Sequence, residues 1–319
     1  MRCEAEQHRE TGKKAWCKIY TDYNDLFADP EVDIVDIALP HYLHGPVALA
    51  AAKAKKHVIC EKPFVLDLQQ ADEIIQTCKD NGRKLMVAEN TRFVKAYEVA
   101  KTLLDRKVVG DVCLARTYLG GSEMYRLAKP DNWIGQQEKA GGGPLMDSGV
   151  HSYYLLRWMV GDFSRVYAHS SVFKKDLYQN VEDNATVLYE FQSGAIGSSM
   201  FSNTTEAPWT ERLEIYGTKG SLIVDMLQEK PVSLFSTLGR SGKMEEWWGH
   251  YGDVSWQEPF IDHSAMTWKM MSWRREVQHF VMSVKQDQPS LVSGEDGKRD
   301  VEIAQKAIES AKSKKWVDA

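Results

Sequence analysis

The first third of the sequence alternates short apolar runs with helical patterns. Residues 32–39 (VDIVDIAL), 57–60 (HVIC) and 84–88 (KLMVA) are rich in aliphatic side chains, as expected of buried strands. Residues 45–56 carry apolar side chains at helical spacing, and Asp67 is placed to cap the next helix. Strands that alternate with helices in this way predict parallel βαβ units in a doubly wound sheet.

Past the third strand the pattern changes. A helix is predicted over about 94–107, and several runs with period-two alternation follow, such as DNATVLYEF at 183–191. Because these runs are closely spaced and no helix separates them, they predict antiparallel pairing. Helical patterns at about 264–286 and 296–314 close the chain. The sequence therefore predicts a parallel α/β half followed by an α+β half.

Composition excludes several classes of protein. The chain has 319 residues, a hydrophobic fraction of 43% and a net charge of −5 at pH 7, without a clustered basic surface for nucleic acid. We see no apolar run long enough to span a bilayer and no signal peptide. None of the five cysteines forms a CxxC pair. We therefore expect a cytoplasmic protein with free thiols, no bound metal, and no nucleic-acid or membrane partner.

Candidate chemistry lies where the predicted strands end, because open parallel sheets present ligands at their carboxyl ends. The segments that follow the strands are 40–44 (PHYLH), 61–63 (EKP) and 89–92 (ENTR). Lys62 stands directly after a strand and before a proline. A lysine there can donate a hydrogen bond to a substrate oxygen and stabilise developing negative charge. The alternative is an ordinary surface lysine at a strand end.

A second candidate segment is GGGPLMDSGVH at 141–151. We predict a helix from about Leu145 to Met159, on which Asp147 and His151 share a face because they are four residues apart. A carboxylate beside an imidazole can raise its basicity, which suits a base that removes a hydroxyl proton. The alternative is a local pair that only steadies the start of the helix.

Three stretches resemble one family of oxidoreductases. HVICEKPFVLDLQQADEI at 57–74 resembles the E-K-P signature of the glucose–fructose oxidoreductase / inositol dehydrogenase (Gfo/Idh/MocA) family. GGGPLMDSGVHSYYLLRWMVG at 141–161 resembles its D-x-x-x-H motif, and SGEDGKRDVEIAQKAIESAKSKKWV at 293–317 resembles its last helix. The similarity spans nearly the whole chain, and the two motifs together are a specific combination.

The resemblance implies oxidation or reduction of a secondary alcohol of a sugar or cyclitol with NAD or NADP. It implies that Lys62 contacts the reacting oxygen, that Asp147 positions the substrate hydroxyl and that His151 acts as acid or base. The residues implied to line the cofactor are Pro40, His44, Glu61, Lys62 and Asn90. The residues implied to contact substrate are Lys62, Arg92, Trp133, Asp147 and His151. Homodimers or homotetramers are implied as well.

The chain departs from the family at its start. The family opens with a strand and a G-x-G-x-x-G turn that holds the pyrophosphate, and this motif is absent from the sequence. We therefore expect an N-terminally truncated, Rossmann-like dinucleotide-binding domain at 1–92. The apolar side chains of 32–39 would then face solvent or another chain. A substrate-binding and oligomerisation domain at 93–319, with a large, mainly antiparallel open sheet, completes the predicted fold.

Three explanations of the missing motif remain open at this stage: a truncated enzyme sequence, a gap filled by another chain, and a variant that has lost tight dinucleotide binding. The first is favoured because Lys62, Asp147 and His151 are all present. The alternative functions are a cofactor-poor carbohydrate-binding or regulatory relative and a glycosidase that uses transient oxidation. An aromatic segment at 241–262 is interpreted as a packing or subunit contact, or else as a cover over the substrate.

Overall fold

A computed structural model of the chain describes residues 17–127, 129, 132–177, 180–228, 230–237 and 265–319. The aromatic segment at 241–262 lies outside these residues, so its interpretation stays a prediction. No helix in the described ranges is both long and apolar enough to cross a membrane.

The N-terminal unit is a small parallel sheet with helices, as the alternating pattern predicts. Its elements are α1 (Tyr23–Ala28), β1 (Ile34–Ile37), α2 (His41–Lys53), β2 (His57–Glu61), α3 (Leu68–Asp80), β3 (Leu85–Ala88), a 3-10 turn (Asn90–Phe93) and α4 (Lys95–Asp105). The strands pair in the order β1-β2-β3, all parallel, with Ile34 opposite His57 and Val58 opposite Leu85. The carboxyl ends of β2 and β3 therefore lie side by side.

Strand β1 pairs only with β2 among the described residues. The expectation that its apolar side chains face solvent or another chain is wrong for Val35 and Ile37, which are 7% and 2% exposed. Both belong to one apolar core with the alanines of α2, which cover this face of the sheet. Burial of such side chains stabilises the unit by roughly 1.5–3 kcal/mol for each large aliphatic group.

Helix boundaries follow local capping more closely than apolar spacing. Helix α3 begins as predicted, because the Asp67 side chain accepts a hydrogen bond from the backbone N–H of Gln69. Helix α2 begins at His41, earlier than the apolar pattern suggests, and Pro46 lies inside it. Pro40 precedes α2 with a φ of −56°, so its ring already holds the backbone angle with which a helix starts.

The second unit is built on a large sheet. Its elements are β4 (Val112–Gly120), α5 (Met124–Leu127), α6 (Gln137–Ala140), α7 (Gly149–Met159), β5 (Phe163–Ser171), β6 (Asn184–Phe191), β7 (Ile196–Ser202), β8 (Thr210–Gly217), β9 (Gly220–Asp225), β10 (Val232–Ser236), α8 (Ala265–Lys285), α9 (Gly294–Ser313) and β11 (Val317–Asp318). The strand order is β10-β9-β8-β4-β7-β6-β5-β11. All pairs are antiparallel except β4 with β7, which confirms the mainly antiparallel open sheet.

One face of this sheet is buried and the other is open. The inner face contributes Val187, Leu213 and Leu222, all 0% exposed, to a core shared with α4, α7 and α9. The outer face carries exposed large apolar side chains on four neighbouring strands, namely Leu114, Leu188, Ile196, Met200 and Tyr216. The sheet therefore offers a broad, partly apolar surface on the side away from the helices.

The two C-terminal helices return to the N-terminal unit. Phe280 of α8 and Val292 before α9 belong to the apolar core of the parallel sheet. Helix α9 approaches this sheet closely at Gly297, where an added Cβ would lie 2.5 Å from a side-chain carbon of Val87. The division of the chain at residues 92 and 93 therefore stays a prediction, since residues near the C-terminus complete the first core.

Candidate active site

Two strand ends and one glycine-rich loop meet at a single place. Lys62 follows β2, and Asp147 ends the loop that precedes α7. The Lys62 ammonium donates to the Asp147 carboxylate oxygen Oδ1 at 2.7 Å and to the Asp147 carbonyl oxygen at 3.0 Å. The alternative of an ordinary surface lysine is therefore wrong, because only 19% of this side chain is exposed.

Asp147 is a buried carboxylate with several cationic or polar neighbours. The Arg126 guanidinium lies 3.5 Å from Oδ2, and Nε2 of His41 lies 3.7 Å from Oδ1. Burial alone would raise the pKa of Asp147, but Lys62 and then Arg126 outweigh it and hold the pKa well below its ordinary value. Asp147 is therefore ionised at neutral pH.

Lys62 keeps its charge for the same reason. Burial alone would lower the pKa of Lys62, but the Asp147 charge and hydrogen bond more than offset this effect and raise the pKa. Two of the three N–H donors of the ammonium group bind Asp147, so one donor remains for a ligand in this mostly buried position. Such a group can bind the oxygen of an alcohol or a carbonyl without changing its own protonation state.

His151 has a different partner from the one that the sequence predicts. Helix α7 begins at Gly149, so Asp147 lies before the helix and the two residues do not share a helix face. The predicted Asp147–His151 pair is therefore wrong. Instead, Nδ1 of His151 lies 2.6 Å from Oε1 of Glu89 and 3.3 Å from Oγ1 of Thr91.

Glu89 is the buried orienting group of this second pair. It is 2% exposed, and its carboxylate also accepts the backbone N–H of Thr91 at 3.1 Å. Burial alone would raise the pKa of Glu89, but His151, the Thr91 side chain and Lys62 together lower it. The charges of Lys62 and His151 both lower the pKa of Glu89. The Lys62–Asp147 and His151–Glu89 pairs therefore lie close to each other. A carboxylate at Nδ1 leaves Nε2 as the nitrogen that can exchange a proton.

The glycine-rich loop explains why the helix starts late. The backbone N–H groups of Met146 and Asp147 both donate to the Gly143 carbonyl, which closes a turn before α7. The Glu182 carboxylate accepts the Leu145 N–H at 2.8 Å. A Cβ on Gly143 would lie 1.7 Å from the Glu182 carbonyl oxygen, so only glycine allows this approach.

Several other predicted residues border these pairs. Glu61 ends β2, and its side chain accepts the Lys62 N–H at 3.1 Å. Asn90 follows β3 and donates to the Ser272 hydroxyl of α8 at 2.9 Å. The Trp133 ring packs edge-on against the His41 ring, with 4.6 Å between centroids, and so lies beside Asp147. Pro40 lies three residues after β1 and directly before α2.

Two predicted residues are placed differently. His44 is fully buried, with Nδ1 2.8 Å from the Pro63 carbonyl and Nε2 2.7 Å from the Leu39 carbonyl. Both nitrogens therefore face the protein backbone, so His44 braces two loops and presents no polar atom to a cofactor. The Arg92 guanidinium stacks on Trp158 at 4.2 Å, two helical turns beyond His151 on α7. No contact of Arg92 with Lys62, Asp147 or His151 is found in the described part of the chain.

The sequence alone did not assign a role to four residues of the candidate site, namely His41, Glu89, Arg126 and Glu276. Glu89 and His41 lie in the segments after the strands, so their positions were informative although no role was assigned to them. Arg126 lies on the short helix α5, and Glu276 lies on α8, far along the chain. Nothing in the local pattern of either segment indicates a site, because both reach it only through tertiary packing.

The residues around the pairs fit a nucleotide cofactor. No group of three or more potential metal ligands converges within the described ranges. Glu61 and Asn90 lie at the carboxyl ends of the parallel strands, where nucleotides bind in open α/β sheets. Glu276 of α8 lies within the electrostatic range of Glu61, and its Oε1 is buried without a hydrogen-bond partner among the described residues. Buried polar atoms are nearly always paired, so this oxygen fits a group that a bound cofactor supplies.

Comparison with known proteins gives the family. Residues 2–89 match the Gfo/Idh/MocA model of an oxidoreductase family with an NAD-binding Rossmann fold, and residues 97–223 match the model of its C-terminal domain. The chain belongs to the Gfo/Idh/MocA oxidoreductase family. It is thus an oxidoreductase with an NAD-binding Rossmann domain, and the predicted resemblance and cofactor class are confirmed.

Individual relatives of this Gfo/Idh/MocA protein act on cyclic polyols and sugars. The chain is 28% identical over 303 residues to myo-inositol 2-dehydrogenase of Thermotoga maritima, covering 94% of this chain and 84% of the relative. It is 28% identical over 327 residues to levoglucosan dehydrogenase of Pseudarthrobacter phenanthrenivorans, covering 93% and 83%. A levoglucosan dehydrogenase structure with NADH and levoglucosan superposes with a TM-score of 0.84 at 25% identity, covering 98% of this chain and 86% of that one.

Proposed function

We propose that this protein oxidises a secondary alcohol of a sugar or cyclitol with NAD or NADP. One observation carries the proposal, namely the 2.7 Å contact between Lys62 and Asp147 next to the His151–Glu89 pair. These groups supply an oxygen ligand, an anchor for a hydroxyl and a base. The names of the relatives, an inositol dehydrogenase and a levoglucosan dehydrogenase, support the substrate class.

The chemical roles follow from the charge of each group. The Lys62 ammonium donates a hydrogen bond to the reacting oxygen and stabilises negative charge as the O–H proton leaves. Asp147 is ionised and accepts a hydrogen bond from a substrate hydroxyl, which orients the sugar. Nε2 of His151 takes the hydroxyl proton. A nicotinamide cofactor held beside Glu61 and Asn90 would supply the acceptor for the hydride of the same carbon, and the alcohol would thereby become a ketone.

Glu89 orients the His151 ring so that Nε2 can take the hydroxyl proton. Its carboxylate holds the proton of the ring on Nδ1 and directs the lone pair of Nε2 outward. When the ring takes a second proton, the adjacent carboxylate stabilises the imidazolium. Trp133 packs against His41, whose Nε2 lies 3.7 Å from Asp147, and we assign Trp133 to the wall of the substrate site. Pro40, Glu61, Lys62 and Asn90 are assigned to the cofactor side.

Absorbance of reduced nicotinamide tests the proposal directly. Wild-type protein is incubated with NAD or NADP and a panel of inositols, levoglucosan and aldoses. Lys62→Met is expected to lower kcat/KM at least about 100-fold, because one preorganised donor to a developing oxyanion contributes roughly that much. Lys79→Met is the matched control, since Lys79 pairs with Glu295 on the exposed surface. Equal activity of the two variants, or sugar binding without any turnover, would contradict the proposed roles.

We further propose a homodimer or homotetramer that forms through the outer face of the large sheet. Support comes from the exposed apolar side chains there, including Ile196 at 53% and Met200 at 50% exposure, because contiguous apolar patches mark contact surfaces. Light scattering measures the mass of the wild type and of Met200→Asp. A wild-type monomer, or an unchanged oligomer in the variant, argues against this face.

A cytoplasmic location is also proposed. Cys17, Cys60, Cys78 and Cys113 are all free thiols, as is usual in a reducing compartment. Cell fractionation of the tagged full-length protein tests this assignment, and recovery in an oxidising compartment would overturn it.

A further inference from the structure

Helix α8 packs one polar stripe against the candidate site. Ser272 and Glu276 lie one turn apart on the same face and are 1% and 2% exposed. Arg275 fixes the helix by donating to the Phe93 carbonyl at 2.7 Å and to the Glu98 carboxylate at 2.9 Å. The position of the stripe is therefore set by several long-range contacts.

The Ser272–Asn90 hydrogen bond shows that the polar stripe of α8 faces the carboxyl end of the parallel sheet. Asn90 follows β3, so Ser272 lies at the carboxyl end of the parallel sheet. Glu276 is close enough to Glu61 and Glu89, the acidic residues at the ends of β2 and β3, for their charges to act on it. Asp36 of β1 acts on Glu276 as well, so acidic side chains from four segments of the chain lie near one another here.

Glu276 differs from Glu61 and Glu89 in lacking a compensating contact. Glu61 accepts the Lys62 N–H, and Glu89 accepts from His151 and Thr91. Oε1 of Glu276 has no partner among the described residues. Burial, followed by the charges of Glu61 and Glu89, raises the pKa of Glu276 to about 10. The group is consequently an uncharged carboxylic acid, with one O–H donor and one carbonyl acceptor.

The ligand must match this donor and acceptor. Within the described residues Glu276 is not part of any group of three or more potential metal ligands. A primary carboxamide does match, because its carbonyl accepts and its N–H donates on the same edge. A carboxylic acid and a primary amide therefore pair through two hydrogen bonds in one ring. NAD and NADP both carry such a carboxamide on the nicotinamide ring.

We propose that the carboxyl group of Glu276 binds the nicotinamide carboxamide and thereby fixes which face of the ring meets the substrate carbon. This inference rests on the proposed function, since it requires NAD or NADP at the carboxyl ends of the parallel strands. Glu276 then acts as a cofactor-contacting residue contributed by the C-terminal region of the chain.

Calorimetric titration tests the contact without measuring turnover. NAD and NADP are titrated first, and the tighter of the two is compared with its 3-acetylpyridine analogue, in which a methyl group replaces the amide nitrogen. Wild type is expected to bind the natural dinucleotide about tenfold more tightly, because the analogue leaves a buried acceptor unsatisfied. Glu276→Gln retains one donor and one acceptor and should keep this preference. Glu276→Met is similar in size but apolar, and should bind both dinucleotides equally.

The outcomes separate this inference from the proposed function. If Glu276→Met keeps the tenfold preference, or if wild type shows none, the contact is wrong although dinucleotide binding stands. If wild type binds no dinucleotide, both the inference and the proposed function are overturned. Thermal unfolding of both variants, together with retained binding by Glu276→Gln, confirms that any loss in Glu276→Met reflects the missing contact and not a collapsed fold.

Discussion

Replacing Glu89 by glutamine tests the His151 pair most directly. The substitution keeps the shape of the side chain but removes the negative charge 2.6 Å from Nδ1 of His151. A glutamine amide that donates to Nδ1 would place the ring proton on Nε2, the nitrogen that has to act as base. We therefore expect Glu89→Gln to retain cofactor binding and to turn over substrate more slowly.

The size of the effect follows from the contact. Glu89 is 2% exposed, so solvent does not screen it, and a hydrogen bond to a charged group contributes about 1.5–3 kcal/mol. That energy corresponds to roughly a 10- to 150-fold loss in kcat/KM. Glu295→Gln is the matched control, because it removes the same kind of charge from the exposed Lys79–Glu295 pair. We expect it to change kcat/KM by less than about threefold.

Two measurements decide the matter. Steady-state oxidation of a polyol, followed by reduced-nicotinamide absorbance, gives kcat/KM for the three proteins. Proton NMR of the wild type should show a downfield resonance from the short Nδ1–H hydrogen bond, which Glu89→Gln loses. If Glu89→Gln is folded and within twofold of wild type, then the assignment of Glu89 as the orienting group is refuted.

Three further changes probe the surroundings of the pairs. Gly143→Ala places a Cβ 1.7 Å from the Glu182 carbonyl oxygen. We expect the free energy of unfolding, measured with urea, to fall by about 1–3 kcal/mol. We also expect a lower kcat/KM. Lys62→Met leaves Asp147 as a less compensated buried charge, which costs about 3–5 kcal/mol at pH 7. Because the folded pKa of Asp147 lies below its ordinary value, its contribution to wild-type stability is present above about pH 4. That contribution is lost as pH falls, so the gap between Lys62→Met and wild type should narrow in acid. Glu276→Gln should be more stable than wild type by about 3 kcal/mol at pH 7, since a carboxyl with a folded pKa of about 10 must gain a proton on folding. This gain should disappear near pH 4, where the unfolded chain also holds the proton, and an equal gain at both pH values would contradict the assignment.

The sequence was sufficient to predict the parts of the fold that depend on local pattern. Apolar runs predicted the three parallel strands, and period-two alternation predicted the sheet of the second unit. The parallel pairing of β4 with β7 was not predicted, because it depends on how distant segments cross. The late start of α7 was missed for a similar reason, since it depends on the approach of Gly143 to Glu182.

In the candidate site, too, the sequence predicts what depends on motifs and misses what depends on tertiary contacts. Lys62 and Asp147 were identified from motifs, and the structure brings them together. The partner of His151 was assigned wrongly, because four-residue spacing identifies a pair only when both residues lie within one helix. Glu89 reaches His151 because the 3-10 turn after β3 packs against α7, which spacing along the chain does not encode. Arg126 and Glu276 likewise depend on tertiary contacts.

The buried acidic residues of this site differ in whether a neighbouring group of the protein compensates their charge. An acid without such a neighbour is the one that a bound ligand would pair with. Asp147 and Glu89 each have a cationic or donor neighbour, so both stay ionised despite burial. Glu276 has no such neighbour among the described residues and must instead hold a proton. An uncompensated buried acid lowers stability at neutral pH. Such a cost is typical of functional sites, where a ligand supplies the missing partner. By this argument α8 belongs to the active site as fully as the E-K-P and D-x-x-x-H segments, although no sequence motif identifies it.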